Sequence, residues 1–461
     1  MLLSAVLKNK GHRVDILIGS PEKVIKDLEE AEADIIAFSM LTLERNYVFQ
    51  TIHEIRKHNF KQPVLLGGID ATLSPEELLS NQEVDFVCVG EGETAILKFA
   101  ESIDKGLDPA HINSIWSRSN TGQIIKNDLF PLIDDLDQVP FPDRSIYQEK
   151  NAFFRLFPMQ IFFAGRGCLY SCSYCFNHKF SVQTAQSPKT KYLRVRTVDN
   201  CIEELSIIKR EYSSKNIYFC DSSMLSFDEK WLNEFFIKYA QLIELPFSIN
   251  ACANEINTEN AKLLKESGCY SVRIGLETGN EKFRREILKK NISNETYFRA
   301  AGILKKQNIP VMWNYIIGFP GETLENSYET IEVMQKLYSD NRNPGSFFVP
   351  YPNISITEEA SAKGLVMPDY KNLFFRIDNS RESILNSPDI PEKRKLYLLS
   401  TVAIAWPAAF PFIKWCIKLP LSPLYKLVNL FMMFRMKSGK AKGFNLNFVL
   451  QYIFLNGFRF V

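Results

Sequence analysis

Along the first hundred positions the apolar residues change period repeatedly. Short apolar runs of strand length at residues 34–39, 63–66 and 85–89 alternate with stretches of three-to-four-residue spacing at 47–58 and 75–79. Residues 5–10 followed by Gly11 read as a helix end with a glycine stop, and residues 13–18 read as a further strand. Strands alternating with helices predict a doubly wound parallel sheet. Such a domain usually opens on a strand, whereas this chain opens inside its first helix, so the first strand reads as missing.

A second alternating series follows residue 150. Its strands are expected at 160–164, 216–220, 247–252, 271–276, 311–318 and 346–349, with helices at 198–212, 229–243, 258–267, 294–307 and 327–337. Six such units suit a barrel or a (β/α)6 partial TIM barrel, in which chemistry sits at the carboxyl ends of the strands. Between the two series, residues 106–150 are irregular, with Asp134, Asp135 and Asp137 close to Pro140 and Pro142, and read as a linker. The expected plan is therefore an α/β chain with domains at 1–105 and 151–365, joined by that linker, and a mainly helical carboxy-terminal region at 366–461.

Length and composition agree with this plan, since 461 residues suit about three domains at ~150 residues each. A hydrophobic share of 46% with 23% charged residues excludes a disordered or fibrous chain. The net charge of +2 argues against a nucleic-acid partner, but its distribution is uneven. From Lys393 onward there are 11 basic residues and no acidic one, whereas the chain before it carries 44 basic against 53 acidic residues. Nine cysteines, an odd number, with no secretory signal indicate a reducing, cytoplasmic setting.

The densest chemistry lies after the first barrel strand, where Gly165-Arg166-Gly167-Cys168-Leu169-Tyr170-Ser171-Cys172-Ser173-Tyr174-Cys175-Phe176 places three cysteines at C-x3-C-x2-C spacing. One loop can turn three such sulfurs toward a single point, as an iron–sulfur cube with one open iron requires. Zinc is the rival soft metal, with His178 the one nearby fourth ligand. Chance clustering of nine cysteines would give this triplet only about 0.003 times in such a chain, so the spacing is informative.

C-x3-C-x2-C followed by an aromatic resembles the signature of radical S-adenosylmethionine (SAM) enzymes. The resemblance implies a [4Fe-4S] cluster on Cys168, Cys172 and Cys175, SAM chelated at the open iron, and Phe176 beside the adenine. It implies too that an electron from the cluster cleaves SAM to a 5′-deoxyadenosyl radical, with a reductant such as flavodoxin or ferredoxin as partner. Further along, Gly275-Leu276-Glu277-Thr278-Gly279 resembles the family's fourth-strand segment, Gly318-Phe319-Pro320-Gly321-Glu322-Thr323 its fifth-strand turn, and Pro350-Tyr351-Pro352 its sixth, with Asn353 in place of the usual Gly. By resemblance Glu277 hydrogen-bonds SAM; a solvated turn carboxylate is the plainer alternative. Asp221 and Ser222 could face SAM or substrate, or simply form a surface turn. No catalytic residue beyond these cofactor contacts is assigned.

Residues 1–105 are similar to the cobalamin-binding domain that precedes the barrel in one large subfamily. Ser39-Met40-Leu41, Gly67-Gly68-Ile69-Asp70-Ala71-Thr72 and Val89-Gly90-Glu91-Gly92-Glu93 carry the likeness, which implies that Ser39, Gly67 and Gly68 line the pocket of the nucleotide tail. The cobalt-ligating D-x-H-x-x-G is absent, since Asp15-Ile16-Leu17-Ile18-Gly19 offers no histidine and His12 reads as a helix-end surface residue. Methyl transfer to an unactivated carbon is the commonest outcome in the subfamily; cyclisation or oxidation are alternatives. A methylthiotransferase would want a second cysteine triplet ahead of the barrel, where only Cys88 stands, and a non-catalytic iron–sulfur sensor or electron carrier is the reading from another class. Residues 396–413 are uncharged and just reach membrane-spanning length, but Pro407 and Pro411 interrupt them. The apolar, basic region after Lys393 fits either peripheral contact with an anionic membrane and a lipid-like substrate, or a helical cap over the barrel.

Overall fold

Two alternating α/β units result from these patterns in the computed structural model, which describes residues 1–150, 154, 157–184, 191–212, 214–339, 345–368, 370, 384–421, 424–425 and 428. One unit comprises Met1–Phe157, Cys175–Thr197 and Tyr351–Ile354; the other comprises Pro158–Tyr174, Val198–Pro350 and Ser355–Val461.

In the first unit, β1 (Ile36–Ser39), β2 (Val64–Gly67) and β3 (Phe86–Cys88) are parallel, and β4 (Ile115–Arg118) and β5 (Ile124–Ile125) continue the sheet antiparallel, in the order β1-β2-β3-β4-β5. Central β2 is apolar throughout because helices cover it; Val64, Leu65 and Leu66 are all buried. The helix Arg45–Lys57 contributes Val48, Ile52 and Ile55, one stripe at helical spacing, to the core that holds Val64, Leu66 and Val87. Ser20 caps the helix Pro21–Ala31 by accepting from the Lys23 amide, with proline at the first helical position.

Two expectations fail here. Residues 13–18 form no strand, because an extended segment becomes one only when a neighbour completes its hydrogen-bond ladder, and no strand of this sheet borders them. Residues 106–150 are not an irregular linker, since β4 pairs onto β3, β5 pairs onto β4, and Trp116 and Ile124 pack against the core. Neither shows as a continuous apolar run in the sequence, because β4 (Ile-Trp-Ser-Arg) is half polar and β5 is only two residues long.

In the second unit, β6 (Met159–Phe162), β7 (Asn216–Phe219), β8 (Phe247–Ala251), β9 (Cys269–Glu277), β10 (Val311–Ile317) and β11 (Gly345–Phe347) form one wholly parallel sheet in the order β11-β10-β9-β8-β7-β6, the partial barrel expected. Phe219 on β7 and Phe247 on β8 interlock edge-to-face and stacked with Phe235, Phe236 and Tyr239 of the helix Glu229–Leu242. The barrel is not one continuous run from residue 151, because Cys175–Thr197 belongs to the first unit. There Arg194 grips Glu91 with two nitrogens at 2.7 and 3.1 Å, and Phe180 lies against Gly90.

The carboxy-terminal region is helical where described. Helix Ile390–Ala405 packs on helix Leu324–Lys336, with Tyr315 donating to Ser400 at 2.7 Å and Gln335 to the Ala403 carbonyl at 2.8 Å. The uncharged stretch 396–413 breaks at Trp406 into a short 3-10 turn, Pro407–Ala409, and a new helix, Phe410–Cys416. Among the described residues no helix is long and apolar enough to cross a membrane. The run from 429 to 461, which includes Leu430, Phe431 and the residues to Phe434, lies outside the described residues.

Candidate functional site

The cysteine loop leaves the carboxyl end of β6, and the residues between its cysteines are the ones that fasten it. Tyr170 donates to Glu255 at 2.9 Å, and the same carboxylate accepts from Ser223, from Ser226 at 2.5 Å and from the Cys252 amide at 2.9 Å. Ser173 is tied three ways: its amide to the Leu288 carbonyl at 3.1 Å, its hydroxyl to the Ile287 carbonyl at 2.7 Å, and its carbonyl to the Ile356 amide at 3.0 Å. Tyr174 stands edge-on to Phe319. The loop's shape therefore depends on side chains other than its thiols. Among the described residues no group of three His, Cys, Asp or Glu side chains is arranged as a metal site. The fit to an iron–sulfur cube accordingly rests on the donor set, three thiols within eight residues of a fastened loop.

None of the nine cysteines is in a disulfide. Burial pushes the thiols of Cys88, Cys252 and Cys269 up to about 12 and that of Cys220 up to about 11. Burial thus disfavours the thiolate form at these four. His178, the zinc alternative, lies in the helix Phe176–Thr184 beyond the loop. Phe176 opens that helix half-buried and stacks on Phe180 at 5.4 Å.

At the end of β9, Glu277 is buried rather than solvated, and its backbone takes a left-handed φ of 66°. Lys290, also buried, donates to Glu277 Oε1 at 2.9 Å and to the Gly275 carbonyl at 2.6 Å. Burial opposes the Lys290 charge, yet the adjacent Glu277 carboxylate holds its pKa well above the ordinary range, with Cys252 and Cys172 adding in the same sense. The Gly-x-Glu spacing has a steric cause, because a methyl group on Gly275 would run into the Glu277 carboxylate. Gly279 has another: its Cβ would fall 2.5 Å from the Glu329 carbonyl, so glycine lets β9's turn meet helix Leu324–Lys336.

Asp221 is buried and accepts from the Ala164 and Gly165 amides at 3.2 and 2.8 Å, which makes it a brace for the strand end ahead of the cysteine loop; Ser222 beside it is exposed. Glu322, to which the sequence reading gave no role, accepts from the Gly318 and Phe319 amides at 2.5 and 3.2 Å, and Lys393 caps its carbonyl. Glu255 was missed altogether. Its only signal was position, three residues past the expected end of a barrel strand.

In the first unit, β1 and β2 pair with Ser39 opposite Gly67, so the three cobalamin-pocket candidates come together. Thr72 joins the next turn to them, donating to the Gly68 carbonyl at 3.0 Å and accepting from the Gly90 amide at 3.1 Å. Beneath, Arg45 and Asp70, both buried, form a two-point ion pair at 2.6 and 2.6 Å. The glycines differ. Gly68 has φ 96°, and a Cβ there would lie 2.7 Å from both the amide and the carbonyl of Met40, so the fold itself requires glycine. Gly67 has no such constraint, since its Cβ would meet nothing closer than 3.8 Å. Exposed Ser39 and the open face of Gly67 fit a ligand whose tail lies across the sheet edge. His12 stands 3.8 Å from Asp104 at the surface.

A Radical SAM superfamily model matches residues 163–334, and a B12 binding domain model matches residues 1–100. The chain is 27% identical to an uncharacterized methyltransferase of Pyrococcus horikoshii over 79% of this chain and 78% of that one. It is 23% identical to the cytidylyl-2-hydroxyethylphosphonate methyltransferase of Streptomyces wedmorensis over 80% and 74%. The fold resembles that of the radical SAM methyltransferase TsrM from Kitasatospora setae, solved with cobalamin and a [4Fe-4S] cluster, at TM-score 0.68 and 14% identity over 95% of each chain.

Proposed function

The chain belongs to the radical SAM superfamily and carries an amino-terminal B12 binding domain, and from that premise we propose that it transfers a methyl group to an unactivated carbon of a small or lipid-like molecule. The observation that carries this is the three-thiol loop fastened through Tyr170 and Ser173 at the carboxyl edge of a parallel partial barrel.

Cys168, Cys172 and Cys175 hold the cluster in this proposal, and Ser39, Gly67 and Gly68 receive the cobalamin tail without a histidine for cobalt. When bound, these groups would supply the electron that cleaves SAM and the carrier for the methyl group. The protein's own part is placement. Glu255 fastens the loop through Tyr170, which limits how far the segment carrying the thiols can move as the cluster is held. Lys290 sets a buried cation near Cys172, which offsets the negative charge three thiolates bring. The Glu277 Oε1 atom is held by Lys290, and the carboxylate stands at the strand end where it would accept a hydrogen bond from the SAM amino group. Phe176 would lie beside the adenine. A flavodoxin- or ferredoxin-type reductant is required.

The test is anaerobic turnover with cell extract, reductant and methyl-labelled SAM, followed by mass spectrometry. Formation of 5′-deoxyadenosine together with a labelled product is expected. SAM cleavage with no methyl transfer would replace methylation by cyclisation or oxidation, and no cleavage at all would overturn the enzyme reading.

A further inference from the structure

The helix Phe410–Cys416 is amphipathic in an unusual sense. Phe410, Ile413 and Ile417 recur on one side and are buried, which anchors the helix to its unit. A helix capping a barrel would turn charged residues outward from there. Instead the outer side presents Phe412 and Trp415, 63% and 56% exposed and stacked on each other at 5.6 Å. Trp406, Leu421 and Leu424, its neighbours in sequence, are exposed as well. Scattered apolar residues on a surface need no explanation, but an exposed, stacked aromatic pair on a helix whose flanking residues in sequence are also exposed and apolar marks a contact.

We propose that this helix docks the protein on an anionic lipid surface. Charge chooses the occupant. Of the 11 basic residues from Lys393 onward, Lys393 and Lys395 are buried and bonded to carbonyls within the fold, and Lys414 pairs with Glu332 at 3.2 Å. Lys418 is exposed one turn beyond Trp415, and six more basic residues follow it without an acid among them. Aromatic side chains with a polar edge settle at the headgroup level, and lysines beside them meet anionic headgroups. The chain ahead of Lys393, with its excess of acids, is repelled by the same surface, which favours approach by this helix. At seven residues the helix Phe410–Cys416 is too short to span a bilayer and would lie on its surface. The proposal is independent of which reaction the barrel performs.

The full chain is mixed with phosphatidylcholine vesicles with and without one third phosphatidylglycerol, and bound protein is measured by flotation. Binding to the anionic vesicles at least about tenfold above the neutral ones is expected, with loss of most of it at high salt. The double variant F412A/W415A, altered only at exposed positions, should fall about tenfold or more while keeping the wild-type thermal melt. Equal binding to both vesicle types, no binding, or a variant that binds like wild type would each overturn the proposal. So would sedimentation showing a dimer that F412A/W415A dissolves, which would make a second copy the occupant.

Discussion

Adjacent Gly67 and Gly68 separate what the fold needs from what a cofactor needs. Alanine at 68 would place its Cβ 2.7 Å from the backbone nitrogen and oxygen of Met40 at φ 96°, ψ −166°. Neither Met40 atom can rotate away, and that backbone region is almost closed to L-residues, at a cost of about 1–3 kcal/mol before the clash is counted. Gly68→Ala should therefore lower the stability of the first unit by roughly 3 kcal/mol, with cobalamin absent. Alanine at 67 finds its nearest neighbours at 3.8 Å (Phe38 carbonyl) and 4.0 Å (Cys88 Cβ), both ordinary contacts, at a backbone angle any residue adopts. Restricting the unfolded chain would even add about 0.4–1 kcal/mol. The same methyl stands on the open face where the nucleotide tail is proposed to lie, so cobalamin affinity should drop at least tenfold, about 1.4 kcal/mol, and Gly67→Leu should abolish it. Urea melts of the cofactor-free protein followed by circular dichroism, and retained cobalamin absorbance after gel filtration, measure the two effects. Gly67→Ala and Gly67→Leu proteins that bind cobalamin like wild type, or a Gly67→Ala that melts as early as Gly68→Ala, would refute the reasoning.

Reconstituted wild type should carry about four irons at the cysteine loop, and Cys172→Ala should lose them along with SAM cleavage, whereas Cys269→Ala should keep both by iron assay and product chromatography. Tyr170→Phe removes one hydrogen bond to a carboxylate, worth roughly 1.5–3 kcal/mol of loop order; iron release to a chelator should quicken about tenfold, and an unchanged rate would mean Glu255 does not position the loop. Lys290→Met leaves Glu277 buried and alone, at a cost of about 3–5 kcal/mol, while the pair E277Q/K290M should recover most of it in denaturation. Burial pushes the Glu322 carboxyl up to about 7 from an ordinary 4.5, so the folded state holds the proton more tightly than the unfolded one. Its contribution is complete below pH 4.5 and is lost as pH rises through 7, roughly 3 kcal/mol at ~1.4 kcal/mol per unit. Glu322→Gln should flatten that decline between pH 4.5 and 8, as read from melts at each pH.

The sequence by itself determined the periodic elements and the donor chemistry. Nine of the ten barrel and leading-sheet strands expected were found within a few residues, because burial on both faces leaves a continuous apolar run that needs no partner to be recognised. The thiol spacing is likewise local, since eight consecutive residues keep three sulfurs together whatever the rest of the chain does. Tertiary structure decided what depends on residues far apart in sequence. Residues 13–18 lack a bordering strand, while β4 gains one from β3 and the two-residue β5 gains one from β4, and both become part of the sheet. Glu255, 85 residues beyond Tyr170, became the fastening of the cysteine loop. Asp221 turned from a ligand candidate into a brace, and Glu277 gained Lys290 as a buried partner. An isolated carboxylate reads the same in every sequence, because its role is set by the donors the fold brings to it and by the water it excludes.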